Sequence, residues 1–267
     1  MKATARITAV AEAGRTRLVT LRSEPPLLVR RTGHRGPAAG PLARGSAAGA
    51  GEVEVHLVGG AAGPLGGDRL RVEVTVGPGA RLCVRTVAAS LALPGPRRAE
   101  RAGTHSTLDV HATVAAGGSL RWLPEPLIAA RGCDHVSSSL VDLESDASLT
   151  WREEVVCGRH GEDPGDASLH STVRLAGRTL MRQELAVGPR AAGWAGAAVL
   201  GGGRATGTLL VVDPQWTEKP PEAAVLGPGA ALMPLAGGPA ALASAVGGDL
   251  REVRAALDRA FTQATLA

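Results

Sequence analysis

Apolar and polar positions alternate along much of the chain. Leu70, Val72, Val74 and Val76 interleave with Arg69, Arg71, Glu73 and Thr75, the pattern of a half-buried β-strand. Gly77-Pro78-Gly79 supplies turn residues, and Leu82, Val84 and Thr86 resume the alternation. The same strand, small-residue turn and strand recur over residues 108–124, about Gly118-Ser119, and over 139–155, about Ala147-Ser148. A fainter echo lies at 225–235. The turns are unevenly spaced. The pattern therefore fits stacked two-strand units feeding long sheets, or separate hairpins that share glycine-rich turns.

Further alternation predicts a hairpin over 3–10 and 15–22 about Glu12-Ala13-Gly14, and another over 168–175 and 179–187 about Ala176-Gly177-Arg178. Strands are also expected at 27–29, 53–57, 107–114 and 206–212. Residues 31–51, rich in Gly, Ala, Pro and Arg without an apolar period, read as a mobile loop. The period changes only near the end. Asp249 is a good N-cap, and Leu250, Val253, Leu257 and Phe261 recur at helical spacing over about 249–264. That stripe either packs on the body or presents itself to a partner. The expected fold is mainly β: stacked, extended, β-helix-like sheets with few helices, in a single domain over 1–267.

Composition changes this picture little. The chain has one Phe, no Tyr and two lysines, Lys2 and Lys219, so its core must rest on Val, Leu and Ala around four tryptophans. The formal charge of +4 is spread over scattered arginines with no aromatic interleaving, which argues against nucleic acid. Cys83, Cys133 and Cys157 form no CxxC pair and fit a reducing compartment. No signal-peptide core and no membrane-spanning apolar run are present, so the expectation is a soluble, cytoplasmic protein.

Familiar catalytic signatures are missing. There is no P-loop, GxSxG elbow, HExxH or strand-following GxGxxG. The loop at Gly59–Gly67 lacks a lysine and leads into a strand, so it makes a poor phosphate cradle. The polar residues that stand out lie beside turns: His56, Asp68, Glu125, Glu153, Glu154, His160, Glu162 and Asp163. Carboxylate and imidazole suit a borderline divalent ion such as nickel or zinc, but the spacing is not that of a closed metal site. Glu54 and His56 share a strand face, with no third ligand assignable.

The segments GGAAGPLGGDRL (59–70), VGPGARLCVRT (76–86), LRWLPEPLI (120–128), LTWREEVVCGRHGED (149–163) and TGTLLV (206–211) together resemble the urease accessory protein D family, called UreH in some bacteria. The likeness runs from about residue 5 to the final helix. It implies a non-enzymatic scaffold, a chaperone of metallocentre assembly. Such a scaffold joins accessory proteins F and G and apo-urease and helps to deliver nickel through an internal passage. No cofactor would be tightly bound; nickel would be in transit, through contacts weak enough to release it. On this resemblance Asp68, Glu125, Glu153 and Glu154 lie near the path. Gly66 and Gly67 shape the GGD motif, and Arg159 and Glu162 belong to a GRxGE pattern. Two alternatives rest on the residues alone: a β-sheet enzyme using the acids near 153–163 as general acid and base, or a purely structural β-solenoid.

Overall fold

The computed structural model describes residues 1–32, 42, 51–95 and 105–266. Two sheets face each other. The first holds seven strands: β1 (Lys2–Glu12), β2 (Arg15–Arg22), β5 (Arg69–Val76), β8 (Ser106–Val114), β11 (Asp134–Leu143), β13 (Asp166–Leu175) and β14 (Arg178–Val187). The second contains β3 (Leu27–Thr32), β4 (Val53–Gly59), β6 (Arg81–Thr86), β9 (Ser119–Leu123), β12 (Ser148–Cys157), β15 (Ala205–Val212), β16 (Ala224–Gly227), β17 (Ala230–Pro234) and β18 (Ala240–Gly247). The short β7 (Ser90–Ala92) and β10 (Leu127–Ala129) attach to it beside β12. The fold is mainly β, as the alternation predicts.

The recurring units are not hairpins. β5 enters the first sheet, turns at 77–80, and continues as β6 in the second. β8 and β9 do the same, and so do β11 and β12. Each unit is thus one coil of a stack, and equivalent strands pair in parallel. Val72 lies beside Val110, and Val76 beside Val114, which in turn faces Leu143. Leu82, Leu120 and Leu149 form a second column. Keeping the apolar positions in register buries one face of each strand against the opposite sheet. Gly79 adopts φ 65° at the turn, a left-handed conformation that glycine reaches without a side-chain penalty.

Trp122 and Trp151 occupy neighbouring positions in adjacent coils and stack at 5.1 Å with an interplanar angle of 12°. The core between the sheets is completed by Ile7, Val74, Val84, Leu120, Leu149 and Leu210. The two true hairpins close the stack on the first sheet. β1 and β2 pair about Ala13-Gly14, and β13 and β14 pair about Ala176-Gly177. Arg178, expected in the second turn, begins β14. The echo at 225–235 is also a real antiparallel hairpin, β16–β17, and differs in kind from the stacked coils.

The helix α1 (Leu250–Leu266) lies on the outer face of the second sheet. The Asp249 carboxylate accepts from the Arg251 and Glu252 N–H groups at 2.8 and 3.0 Å, as an N-cap should. Val253, Leu257 and Phe261 are buried against Leu209, Val211 and Ala243, with Leu250 packed at the edge. Of the two uses the sequence leaves open for Leu250, Val253, Leu257 and Phe261, the fold takes packing. The apolar stripe covers the sheet, so these four side chains do not form a free partner-binding surface.

The loop expected at 31–51 begins later than its composition suggests, because Arg31 and Thr32 pair with Val55 and Glu54 in β3–β4. Residues 33–41 and 43–50, including His34, lie outside the described residues, while Leu42 is buried among the residues under α1. No helix among the described residues is long and apolar enough to cross a membrane.

Candidate functional site

The second sheet is interrupted where three irregular segments lie side by side: residues 60–64 after β4, 87–89 after β6, and 124–126 after β9. Beyond the interruption the pairing resumes, with a Leu65–Leu93 bridge and with β10 joined to both β7 and β12. Proline explains two of the three breaks, at 60–64 and 124–126. Pro64, Pro124 and Pro126 lack the N–H that a ladder needs. The Glu125 N–H instead meets the Thr86 hydroxyl at 2.8 Å, which holds neighbouring segments together without strand pairing.

A cavity of about 510 Å³ lies at this interruption. Its wall includes Asp68, Glu125, Glu153 and Glu154, the four acids that the resemblance sets near the path. Glu153 faces the first sheet and accepts from the Ser139 and Ser171 hydroxyls at 3.0 and 2.5 Å. Glu154, the next residue, faces the helix and is bound by Arg254. Successive side chains on a strand point to opposite faces. The Glu153 side chain thus lies on the interior side of the sheet and the fully buried Glu154 side chain on the helix side.

Each acid has its own partners. Asp68 is 4% exposed; one oxygen accepts from the Leu65 N–H at 3.0 Å and the other contacts the Met1 amino group. Gly66 and Gly67 form the turn that brings Asp68 back to Leu65, whose carbonyl accepts the Asp68 N–H at 2.8 Å. Glu153 also borders a second void of about 20 Å³ with Ser171, Thr206 and Thr208, room for about one water among polar partners.

Glu125 and Glu154 are tied together by α1. Arg254 Nη2 donates to both carboxylates at 2.8 Å, while its Nε meets the two Glu154 oxygens at 3.1 Å. Burial alone would lower the Arg254 pKa, but the hydrogen bonds and charges of Glu154 and then Glu125 outweigh it and raise it. Arg152 stands on the other side of Glu154, with Nε at 3.6 Å, and donates from Nη2 to the Pro124 carbonyl at 2.8 Å. Burial lowers the Arg152 pKa, with Glu154 opposing that effect. Gly207, paired with Glu154 in β15, makes this approach possible. A Cβ there would lie 2.9 Å from Val253 and 3.2 Å from the Glu154 side chain.

Other sequence candidates lie apart. Glu162 accepts from the Arg159 backbone and guanidinium at 2.8–3.0 Å and from the Arg131 N–H at 3.1 Å. The Arg159 side chain, followed by its backbone N–H, holds the Glu162 carboxyl down to about 2. Arg159 and Glu162 thus fasten their own loop. Asp163 contacts Arg131, and His56 bonds Thr32 beside Glu54. The acids at 153–163 do not converge as a general acid–base pair, since Glu153, Glu154 and Glu162 each meet a different neighbourhood.

His135 and Arg254 escaped the sequence reading of the site. His135 lines the cavity, is 1% exposed, and has its Nδ1 at 2.9 Å from the Ser106 hydroxyl. Burial pushes its pKa down to about 4 against the opposing charge of Asp134. Its Nε2 has no hydrogen-bond partner among the described residues. Also among the described residues, no group of three or more His, Cys, Asp or Glu side chains is arranged to hold a metal ion. The cavity offers dispersed contacts in place of a closed cage.

Comparison with known proteins identifies the family. The sequence profile described as UreD urease accessory protein matches residues 1–266. The chain is 47% identical over 264 residues to the urease accessory protein UreD of Streptomyces avermitilis, covering 98% of this chain and 97% of that protein. It is 46% identical to the corresponding protein of Streptomyces coelicolor and 45% identical to UreD 3 of Streptomyces griseus, each covering 98% of this chain and 96% of the relative. With the profile spanning the stacked coils, the interrupted sheet and the final helix alike, this chain belongs to the UreD urease accessory protein family.

Proposed function

We propose that this chain is a scaffold of urease maturation. In this reading it forms a complex with accessory proteins F and G and apo-urease in the cytoplasm, and nickel moves along its internal cavity without any catalytic turnover by the chain. The observation that carries the nickel reading is the grouping of Asp68, Glu125, Glu153 and Glu154 around one cavity at the interruption of the sheet. Carboxylates spaced along such a wall offer successive oxygen contacts. In this reading each contact is weak enough to release the cation. Ser139 and Ser171 hold Glu153 toward the interior, while Asp68 stands at the end of the glycine loop.

Asp68→Ala and Glu153→Ala test the reading. Pull-down with protein F measures assembly, and nickel content and urease activation measure delivery. Intact complex with reduced nickel loading is the expected result; full loading with both acids removed would exclude them from the path. Undiminished urease activation in cells lacking this chain would overturn the maturation role itself.

A further inference from the structure

Leu42 is the one residue described between Thr32 and Gly51, and it is 1% exposed. Charged side chains from two different elements hold its peptide groups. Arg121, on β9, donates from Nη2 to the Leu42 carbonyl at 2.6 Å. Asp258, on α1, accepts the Leu42 N–H with its carboxylate. Nη1 of the same arginine donates to Glu52, just ahead of β4, at 3.3 Å. The Leu42 side chain joins the apolar cluster that holds Cys83, Leu123 and Leu257.

We propose that Leu42 is a latch between α1 and the second sheet. Seated, it fastens the C-terminal half of the helix; withdrawn, it opens a leucine-sized socket at Cys83. The inference goes beyond the maturation reading and does not depend on nickel entering the cavity.

The physical basis is that one residue completes a link which the two elements cannot complete without it. Arg121 is a donor only, and ionised Asp258 an acceptor only. The Leu42 peptide groups supply a carbonyl to the first and an N–H to the second. Both hydrogen bonds involve a charged partner and belong to the stronger kind. Leaving such groups unmade in a buried site is costly, so seated and withdrawn are two distinct states. Leu42 is also the only large aliphatic residue from 31 to 51, and no second side chain of that stretch can take over its apolar contacts. Asp258 follows Arg254 by four residues on α1, which puts both on one face of the helix. Arg254 binds Glu125 and Glu154 on the cavity wall. The seating of Leu42 therefore steadies the helix face that holds those two acids.

Three buried thiols make the latch observable. Cys83 is fully buried in the Leu42 cluster and lies beside Arg121 in the parallel register. Cys133 and Cys157 are buried in a separate cluster. Opening of the latch exposes the first alone, and unfolding exposes all three. The test treats the full chain with iodoacetamide under native conditions and follows each cysteine by peptide mass spectrometry. In Leu42→Ala, Cys83 is expected to react at least about tenfold faster than in wild type, with Cys133 and Cys157 unchanged. Asp258→Ala keeps the leucine but removes one clamp, and should accelerate Cys83 as well. Because both changes act on one link, their effects in the double variant should fall well short of multiplying. Unchanged Cys83 labelling in folded L42A overturns the proposal, as does equal acceleration of all three cysteines or a double variant whose effects multiply. If L42A does not fold, D258A carries the test, and unchanged Cys83 labelling there overturns the latch.

Discussion

His135 shows how burial alone can turn a titratable residue into a stability determinant. Ser106 donates its hydroxyl proton to the Asp134 carbonyl at 3.3 Å, so the same oxygen can accept from His135 Nδ1. That arrangement uses the neutral imidazole. With the folded pKa pushed down to about 4 from 6.5, the unfolded chain binds the proton more readily. Stability from this group is complete above the unfolded value and is lost as pH falls from about 6.5 through about 4, by roughly 3 kcal/mol at most. Urea unfolding at pH 7 and pH 4.5 should show a smaller loss in His135→Gln than in wild type; equal losses would contradict the assignment. At this scale the sequence was partly legible. Asp68 and Glu125 are marked by the glycine and proline beside them, whereas Glu153 and Glu154, expected beside a turn, lie inside β12. His135 sits in a run of serines with nothing to mark its burial. Arg254 meets its partners across 100 and 129 residues of chain, a distance no local pattern spans.

Elements were more legible than their connections. Alternation located the strands of the coils, but the same pattern serves a hairpin and a coil that moves between sheets. Only the parallel register distinguishes them, and that register is a property of strands distant in sequence. β18 was missed because its AALASAVG run has almost no polar alternation; alanine is small enough to fill the space beneath α1. β7 and β10 were missed because each is three residues long. The helix, with its capping residue and single apolar stripe, was predicted within a residue or two. Its anchoring is testable: Leu257, 1% exposed beneath the helix, should cost about 2–5 kcal/mol when truncated to Ala. Chemical denaturation would measure this. A negligible loss would mean that the stripe is not the helix's attachment to the sheet.

For the whole molecule, sequence conveyed the class and the family resemblance, whereas the cavity emerged only from stacking. Three interruptions far apart in the chain become neighbours because successive coils lie in register. The same stacking brings Asp68, near the start of one coil, to the space bordered by Glu153 from a later one. Delivery by such a path depends on the assembly of all the coils, so the expected defect of the Asp68 and Glu153 variants is in nickel loading, without loss of the fold.

Beside those three breaks β12 continues without a gap. It pairs with β9 from Ser148 to Trp151 and, past the interruption, with β10 from Val155 to Cys157. The β7–β10 ribbon consequently hangs from a frame that is whole on one side and cut on the other. Its attachment to β12 comprises three residue pairs, and short ladders open locally at low cost. Deuterium should enter the amides of β7 and β10 before those of β6 and β9; simultaneous exchange would show that the ribbon opens only with the sheet. Local opening of the ribbon would move one border of the cavity while β12 keeps its carboxylates in place.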